Sequence, residues 1–259
     1  MDLHLDSSKA PKTKYHGGTQ IARVVTEGWL EDNMYCPVCG EAHLVHFKAS
    51  KPVADFYCPH CKAEFEQKSK DSKHARIPKT VAGGAYSAME ARLLSETNPH
   101  LFVLTYADGK VNNLLLVPKH FFTMSVVKKR KPLSATAVRA GWTGSNILLD
   151  EIPESGRIYI IKNGVEENPL DVLKKYKLTL PLKTVAQAKR GWLMDVLKCV
   201  EAIPTADFTL ADVYAFSSDL EKKHPGNAHI KDKIRQQLQT LRDKGFIDFV
   251  SRGNYKRII

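Results

Sequence analysis

No stretch of this chain is apolar enough to cross a bilayer. The run Leu114 to Val117 falls far short of the 18 or more residues that a spanning helix requires. The N-terminus carries an acid at Asp2 and lacks the apolar segment of a secretory leader, so a cytoplasmic protein is expected. Cysteine is scarce, five in 259 residues, and thiols in that compartment stay reduced, which sets aside a disulfide scaffold. The most informative absence is of negative charge. From Gly109 to Leu149 there is no acid, while Lys110, Lys119, Lys128, Lys129, Arg130, Lys131 and Arg139 are all basic. With a net charge of +11, this unscreened basic window points to a polyanionic partner, nucleic acid first. A membrane surface fits less well, because the basic run has no amphipathic helix with a wide apolar face.

What is present reads as two domains. Residues 1–18 are polar and are expected as a flexible N-terminal arm. Ile21, Val24, Val25 and Trp29 recur at helical spacing, predicting a helix over 19–33. Short strands are expected at 53–57 and 64–68, a flexible loop over 69–84, and a helix over 85–97. Further strands follow at 101–106, 113–117, 146–149 and 157–162, with a turn at Asp108-Gly109. This mixture of strands and helices predicts an α/β domain over 19–182. After a linker near 179–190 come helices at 192–203, 209–223 and 230–244, then a hairpin over 246–259. Three helices and a terminal hairpin predict a winged helix over 183–259.

Four cysteines form the strongest motif. Cys36-x2-Cys39 and Cys58-x2-Cys61 are separated by eighteen residues, the spacing of a tetrahedral zinc site. With every ligand drawn from protein, the metal would be structural. Cys199 stands apart and reads as a small core residue. His43, His46, His60 and His74 lie nearby but are not needed as ligands.

Around the second pair lies another pattern: Asp55, then after ten residues Glu66, Gln67 and Lys68. Side chains alternate on a strand, so Glu66 and Lys68 share a face and Gln67 takes the other. If the two strands pair, Asp55 reaches the face of Glu66. Two carboxylates suit magnesium, and a lysine beside them suits the water and the charge of phosphodiester hydrolysis. The same residues would also serve as an ordinary solvated strand face.

In the last helix, Ile230, Ile234, Leu238 and Leu241 form an apolar stripe, leaving Arg235, Gln236 and Gln239 on other faces. Arg and Gln suit bidentate contacts with guanine and adenine edges. His229 and Lys231 at the start of this helix, with Arg252, Lys256 and Arg257 on the wing, are placed to hold phosphates. Trp142, with Arg139 and Gly141 in the basic window, is a candidate to approach a base edge, its alternative being a core tryptophan.

Pro52-x-x-Asp55 with Glu66-Gln67-Lys68 is similar to the motif of the PD-(D/E)XK nuclease superfamily, the proline displaced from its usual place. Lys51 to Cys58, Arg139 to Trp142, Lys233 to Gln239 and Leu241 to Lys244 further resemble the methyl-directed restriction endonucleases of the DpnI type. The resemblance implies a mixed sheet with flanking helices of PD-(D/E)XK type, carrying zinc knuckles and followed by a winged helix. It implies magnesium-dependent cleavage of double-stranded DNA at G(N6-methyl-A)TC, leaving 5′-phosphate and 3′-hydroxyl ends. Carried over by position, Asp55 and Glu66 bind magnesium, Lys68 serves the water, and Trp142 senses the adenine methyl groups. Expected partners are DNA with N6-methyladenine and no membrane, the protein acting on one site as a monomer. The competing readings are a non-enzymatic regulator built from a zinc ribbon and winged helix, and a metal-dependent nuclease of other specificity.

Overall fold

The computed structural model describes residues 1–11, 13–47, 54–72 and 76–259. In chain order its elements are α1 (Gly18–Asn33), β1 (Val45–His46), β2 (Phe56–Tyr57), β3 (Glu64–Asp71), β4 (Thr80–Ala85), α2 (Tyr86–Leu94), β5 (His100–Ala107) and β6 (Lys110–Val117). There follow β7 (Val127–Lys129), β8 (Gly144–Leu148), β9 (Ile158–Lys162), β10 (Val165–Glu166), α3 (Pro169–Thr179), α4 (Gln187–Ala202) and β11 (Asp207–Thr209). The chain closes with α5 (Leu210–Tyr214), α6 (Ser217–Lys223), α7 (Ile230–Asp243), β12 (Ile247–Ser251) and β13 (Asn254–Arg257). These fall into two compact units interleaved along the chain. The first comprises Met1–Val81, Thr97–Lys119 and Arg157–Lys177; the second comprises Ala82–Glu96, His120–Gly156 and Leu178–Ile259. Among the described residues, no helix is long and apolar enough to cross a membrane.

The first unit is a seven-stranded mixed sheet ordered β1-β2-β3-β5-β6-β9-β10. Only β3 and β5 run parallel, Phe65 lying opposite His100 and Lys68 opposite Val103. β5 and β6 are apolar along nearly their whole length because both of their faces are covered. They join through Asp108 and Gly109, both at positive φ (49° and 70°), a turn whose twist matches the strands it connects. On one side of the sheet, Trp29 and Leu30 of α1 and Val172 and Tyr176 of α3 share a core with Phe65 and Phe102, whose rings stack at 4.8 Å. Burying each such side chain is worth roughly 1.5–3 kcal/mol. Helix α3 starts where Asn168 Oδ1 accepts the Leu170 N–H at 2.9 Å and Pro169 takes the first helical position.

The N-terminal stretch expected as a flexible arm makes ordered contacts over its first ten residues. Leu5 N–H donates to Gly109 O (2.8 Å) and Val111 N–H to Leu3 O (2.8 Å), extending the end of β6 that β9 does not reach. Trp29 Nε1 donates to Asp2 O at 2.7 Å. Lys9 crosses α1 over Gly28 and donates to its carbonyl at 3.0 Å; a Cβ at position 28 would come 2.4 Å from Lys9 Cδ.

The loop expected over 69–84 is replaced at both ends by strand. β3 continues to Asp71, and β4 joins a second sheet ordered β4-β8-β7. Val53, the expected start of a strand, lies outside the described residues, as do Lys51, Pro52 and His74; β2 begins at Phe56.

The C-terminal part of the second unit has the expected helices and hairpin with three adjustments. The linker is itself helical, with a 3-10 turn at Leu180–Thr184 and α4 starting at Gln187. The helix expected over 209–223 is broken after Tyr214 into α5 and α6. The hairpin gains a third strand, giving the order β11-β13-β12. Thr209 and Asp212 close a capping box at the start of α5, and Gly245, at φ 77°, ends the turn after α7. Ile234, Leu238 and Leu241 are buried as the apolar stripe requires.

This part is fastened by buried charge. Asp195, 3% exposed, accepts from Lys223 Nζ (2.9 Å) and His224 Nε2 (2.9 Å), and the Trp192 ring stacks on His224 at 3.8 Å. Lys223 and Lys198 both reach Glu151, at 2.6 and 2.9 Å. Removing the buried Asp195 carboxylate takes the acceptor from His224 and one of two acceptors from Lys223. Asp195→Ala is therefore expected to destabilise the second unit by about 3 kcal/mol, near the lower end for a broken buried pair because Lys223 retains Glu151. Urea denaturation checks this; an unchanged midpoint would show that the cluster is solvated.

Candidate active site, metal centre and DNA-reading surface

Two tight turns bring the four cysteines together. Gly40 (φ 87°) donates its N–H to Cys36 O at 2.8 Å, and Lys62 (φ 61°) donates to Cys58 O at 3.1 Å. The four sulfurs all lie within 4.8 Å of one another, with Cys36 to Cys61 at 3.7 Å and Cys39 to Cys58 at 3.6 Å. A tetrahedron with metal–sulfur bonds of about 2.3 Å has edges of about 3.8 Å, so the set fits zinc closely. Burial pushes the Cys61 thiol up to about 11 and raises Cys36 as well, so gathering these groups as thiolates calls for a cation among them. Cys199, on α4, is apart from this cluster and only partly buried, short of the core position expected, and burial pushes its thiol up to about 12.

The second knuckle joins β2 to β3, which pair antiparallel with Phe56 opposite Phe65 and Tyr57 opposite Glu64. Asp55 stands next to this ladder. Its N–H donates to Phe65 O (2.9 Å), its carbonyl accepts from Phe47 N–H (2.8 Å), and its Oδ2 accepts the Gln67 N–H at 2.7 Å. On β3 the burial alternates: Phe65 and Gln67 face the core, while Glu64, Glu66 and Lys68 take the other, partly exposed face. Lys68 Nζ lies 2.6 Å from Glu66 Oε1. The structure thus ties Asp55 to β3 at Gln67 and pairs Glu66 with Lys68, three residues supplying two carboxylates and an amine. As hard oxygen donors, the carboxylates of Asp55 and Glu66 fit magnesium, and the hydrogen bond from Gln67 N–H engages only Oδ2 of Asp55. Gln67 is 7% exposed, and neither its side-chain nitrogen nor its oxygen has a protein partner.

Three residues beside this site are not apparent from the sequence motif. Glu27 of α1 is buried, accepting Arg23 Nε at 2.6 Å and contacting His46 Nε2 at 3.2 Å. Arg23 is held above the usual guanidinium range, mainly by its hydrogen bond and charge interaction with Glu27, and Asp55 adds a smaller contribution. His46 pairs with Phe56, the residue after Asp55. The i,i+4 spacing of Arg23 and Glu27 is readable on a helix, but nothing in the chain connects them to Asp55.

In the second unit, Trp142 is partly buried at the neck of a loop entering β8. The Arg139 guanidinium lies 4.6 Å from its ring centre, and a Cβ at Gly144 would come 2.8 Å from the indole, so glycine there lets the ring lie across the strand. On α7, Arg235, Gln236 and Gln239 are exposed on the side away from the core. Lys231 and Arg235 sit over the Tyr214 ring at 5.3 and 5.7 Å. Lys233 Nζ donates to Gln236 Oε1 at 2.8 Å. His229 is exposed just before the helix, and Arg252 is exposed in the β12–β13 turn. Arg257, expected to hold a phosphate, instead serves the fold, its guanidinium donating to the carbonyls of Val200, Glu201 and Ile203 at the end of α4 (3.1–3.2 Å).

Residues 1–185 match the Dam-replacing family, of DpnI, and residues 188–257 match the Dam-replacing HTH domain. The second match assigns a helix-turn-helix domain to the C-terminal part, and the mixed sheet and four-cysteine cluster lie within the residues that the first match covers. The chain belongs to the Dam-replacing family. It is thereby a restriction endonuclease of DpnI type with a C-terminal DNA-binding domain.

The purified protein is expected to carry one zinc ion per chain by elemental analysis. Cys58→Ser is expected to lose the ion and unfold the first unit, since structural zinc contributes roughly 10–16 kcal/mol in small zinc modules. A folded, zinc-free Cys58→Ser protein with unchanged near-ultraviolet dichroism would refute this assignment.

Proposed function

We propose that this protein is a type II, methyl-dependent restriction endonuclease that hydrolyses double-stranded DNA at G(N6-methyl-A)TC with magnesium. The observation that carries this reading is the hydrogen bond from Gln67 N–H to Asp55 Oδ2, which holds one acid against the strand presenting Glu66 and Lys68. Asp55 and Glu66 would hold the magnesium, which supplies Lewis-acid polarisation of the scissile phosphate. Lys68 orients the attacking water and offsets negative charge that grows on the phosphorane. Gln67 acts through its main chain, fixing the Asp55 carboxylate from behind. The four thiolates hold structural zinc, with no open position for substrate.

Recognition falls to the second unit in this reading. The exposed cations supply sequence-blind attraction to phosphates. Arg235, Gln236 and Gln239 read base edges from α7, with His229, Lys231 and Arg252 on the backbone. Trp142 meets the adenine methyl groups by apolar contact, as a side chain does with the methyl of thymine. The protein works in the cytoplasm, as a monomer on one site.

The test is incubation with magnesium and plasmid that is either adenine-methylated at GATC or unmethylated. Cleavage of the methylated plasmid alone is expected. Cleavage of neither would sink the enzyme, and equal cleavage of both would sink methyl dependence. Lys68→Ala is expected to lower the cleavage rate about 10²–10⁴-fold while methylated duplex still binds. If binding is lost together with cleavage, Lys68 has a structural role instead.

A further inference from the structure

We infer that the loop from Leu133 to Gly141 is a finger that enters a groove of the duplex, with Val138 as its apolar contact to the bases. This rests on the reading of the Trp142 segment as part of the DNA-facing surface, and names a residue and contact that reading does not include.

Val138 is 106% exposed, as open as a side chain can be in a folded protein. A single exposed aliphatic residue is by itself ordinary. Its setting is not. The loop is closed at its neck by Leu133 N–H to Trp142 O (3.0 Å) and Gly141 N–H to Leu133 O (3.1 Å). Within it, Ala137 N–H donates to Ser134 O and Trp142 N–H to Arg139 O, each at 3.1 Å, and Gly141 turns the chain at φ 75°. Val138 therefore stands out on a hydrogen-bonded turn and not on a slack segment. Lys128, Lys129, Arg130 and Lys131 just before the loop and Arg139 within it are exposed, and the sequence has no acid until Asp150.

An apolar tip on a loop flanked and joined by exposed cations matches the duplex, in which anionic phosphates border each groove and apolar base surface lies between them. The cations meet phosphates, which contribute affinity without sequence information. The aliphatic tip meets what phosphates do not offer: a thymine methyl in the major groove, or a base step that an apolar wedge parts. Neighbouring Arg139 is stacked on Trp142, so the tip and the indole belong to one short segment.

The test uses the full chain, zinc bound, without added magnesium, with a duplex carrying one GATC either adenine-methylated or not. Val138→Ala is expected to weaken binding of the methylated duplex roughly tenfold, for two methyl groups left unburied. The same factor is expected at every salt concentration, because no phosphate contact is lost. An unchanged Tm establishes that the variant is folded. In a second measurement, the thiol of Val138→Cys is alkylated with N-ethylmaleimide and the modified peptide quantified by mass spectrometry. Strong protection by duplex supports the finger. Affinity within twofold of the parent protein, or alkylation at the same rate with and without DNA, overturns it. If the parent protein binds both duplexes alike, methyl reading fails, yet protection of the introduced thiol by either duplex still supports the finger.

Discussion

The register of one short hairpin governs the placement of the candidate catalytic groups. β2 has only two residues, and β3 faces the core with Phe65 and Gln67 and away from it with Glu66 and Lys68. A slip of one residue would bury the acid and the amine and expose the phenyl ring. So short a ladder cannot hold its own register, as an isolated hairpin is marginal in water. Two constraints hold it here. Phe65 is anchored against Phe102 in the core, and the connection between the strands is the second cysteine knuckle. The Asp55 carboxylate is tied at the point between them, by an N–H of the strand whose register is being held. On this argument a metal at the cysteines affects the chemistry through geometry alone.

Gln67 shows how the strand divides its work. Its backbone N–H faces Asp55, while its side chain enters the core with both polar atoms lacking a protein partner. An unsatisfied buried amide costs about 1–3 kcal/mol. An aliphatic residue would satisfy the core better and leave the N–H in place. The amide side chain is therefore not explained by packing, and the main-chain contact to Asp55 does not require it. The parallel pairing of β3 with β5 sets the other boundary, since it fixes Glu66 and Lys68 opposite Leu101 and Val103 at the middle of the sheet.

Much of this was legible in the sequence where the signal is local. The Cys-x2-Cys pairs, the Asp108-Gly109 turn, the α1 periodicity and the apolar stripe of α7 are each set by residues a few positions apart. The rest depends on contacts between distant segments. β4 reads as loop because Thr-Val-Ala-Gly-Gly-Ala has the composition of one, yet a Cβ at Gly83 would come 2.4 Å from Ser145 Oγ, and the glycine permits a close approach to β8. Leu3 and Leu5 alternate with polar neighbours over too short a run to read as strand, yet they pack against the core while the backbone of Leu3 and Leu5 bonds beside β6. In the site, Asp55, Glu66 and Lys68 form a motif along the chain, whereas Glu27 and His46 come close only when α1 and β1 pack. Over 209–223 the cause is different: the turn at Ala215-Phe216 separates two helices whose apolar spacing alone is continuous.

The excess of positive charge, by contrast, was plain from the start but determines little about recognition. Lys and Arg attract any duplex, and their contribution falls as salt rises, whatever the sequence. Discrimination needs groups whose contacts depend on what a base presents, and in the reading proposed above these are the amides of Gln236 and Gln239, the guanidinium of Arg235, and the indole of Trp142. Two of these are partly committed within the protein. Arg235 lies over Tyr214, and Trp142 lies under Arg139 and against Gly144. Such contacts restrict rotamers before DNA arrives, so less conformational entropy is lost on binding. A methyl group offers only a small apolar surface, and a freely rotating indole would give back in entropy much of what that contact contributes. A ring already held in place can convert so small a difference in the base into a difference in affinity.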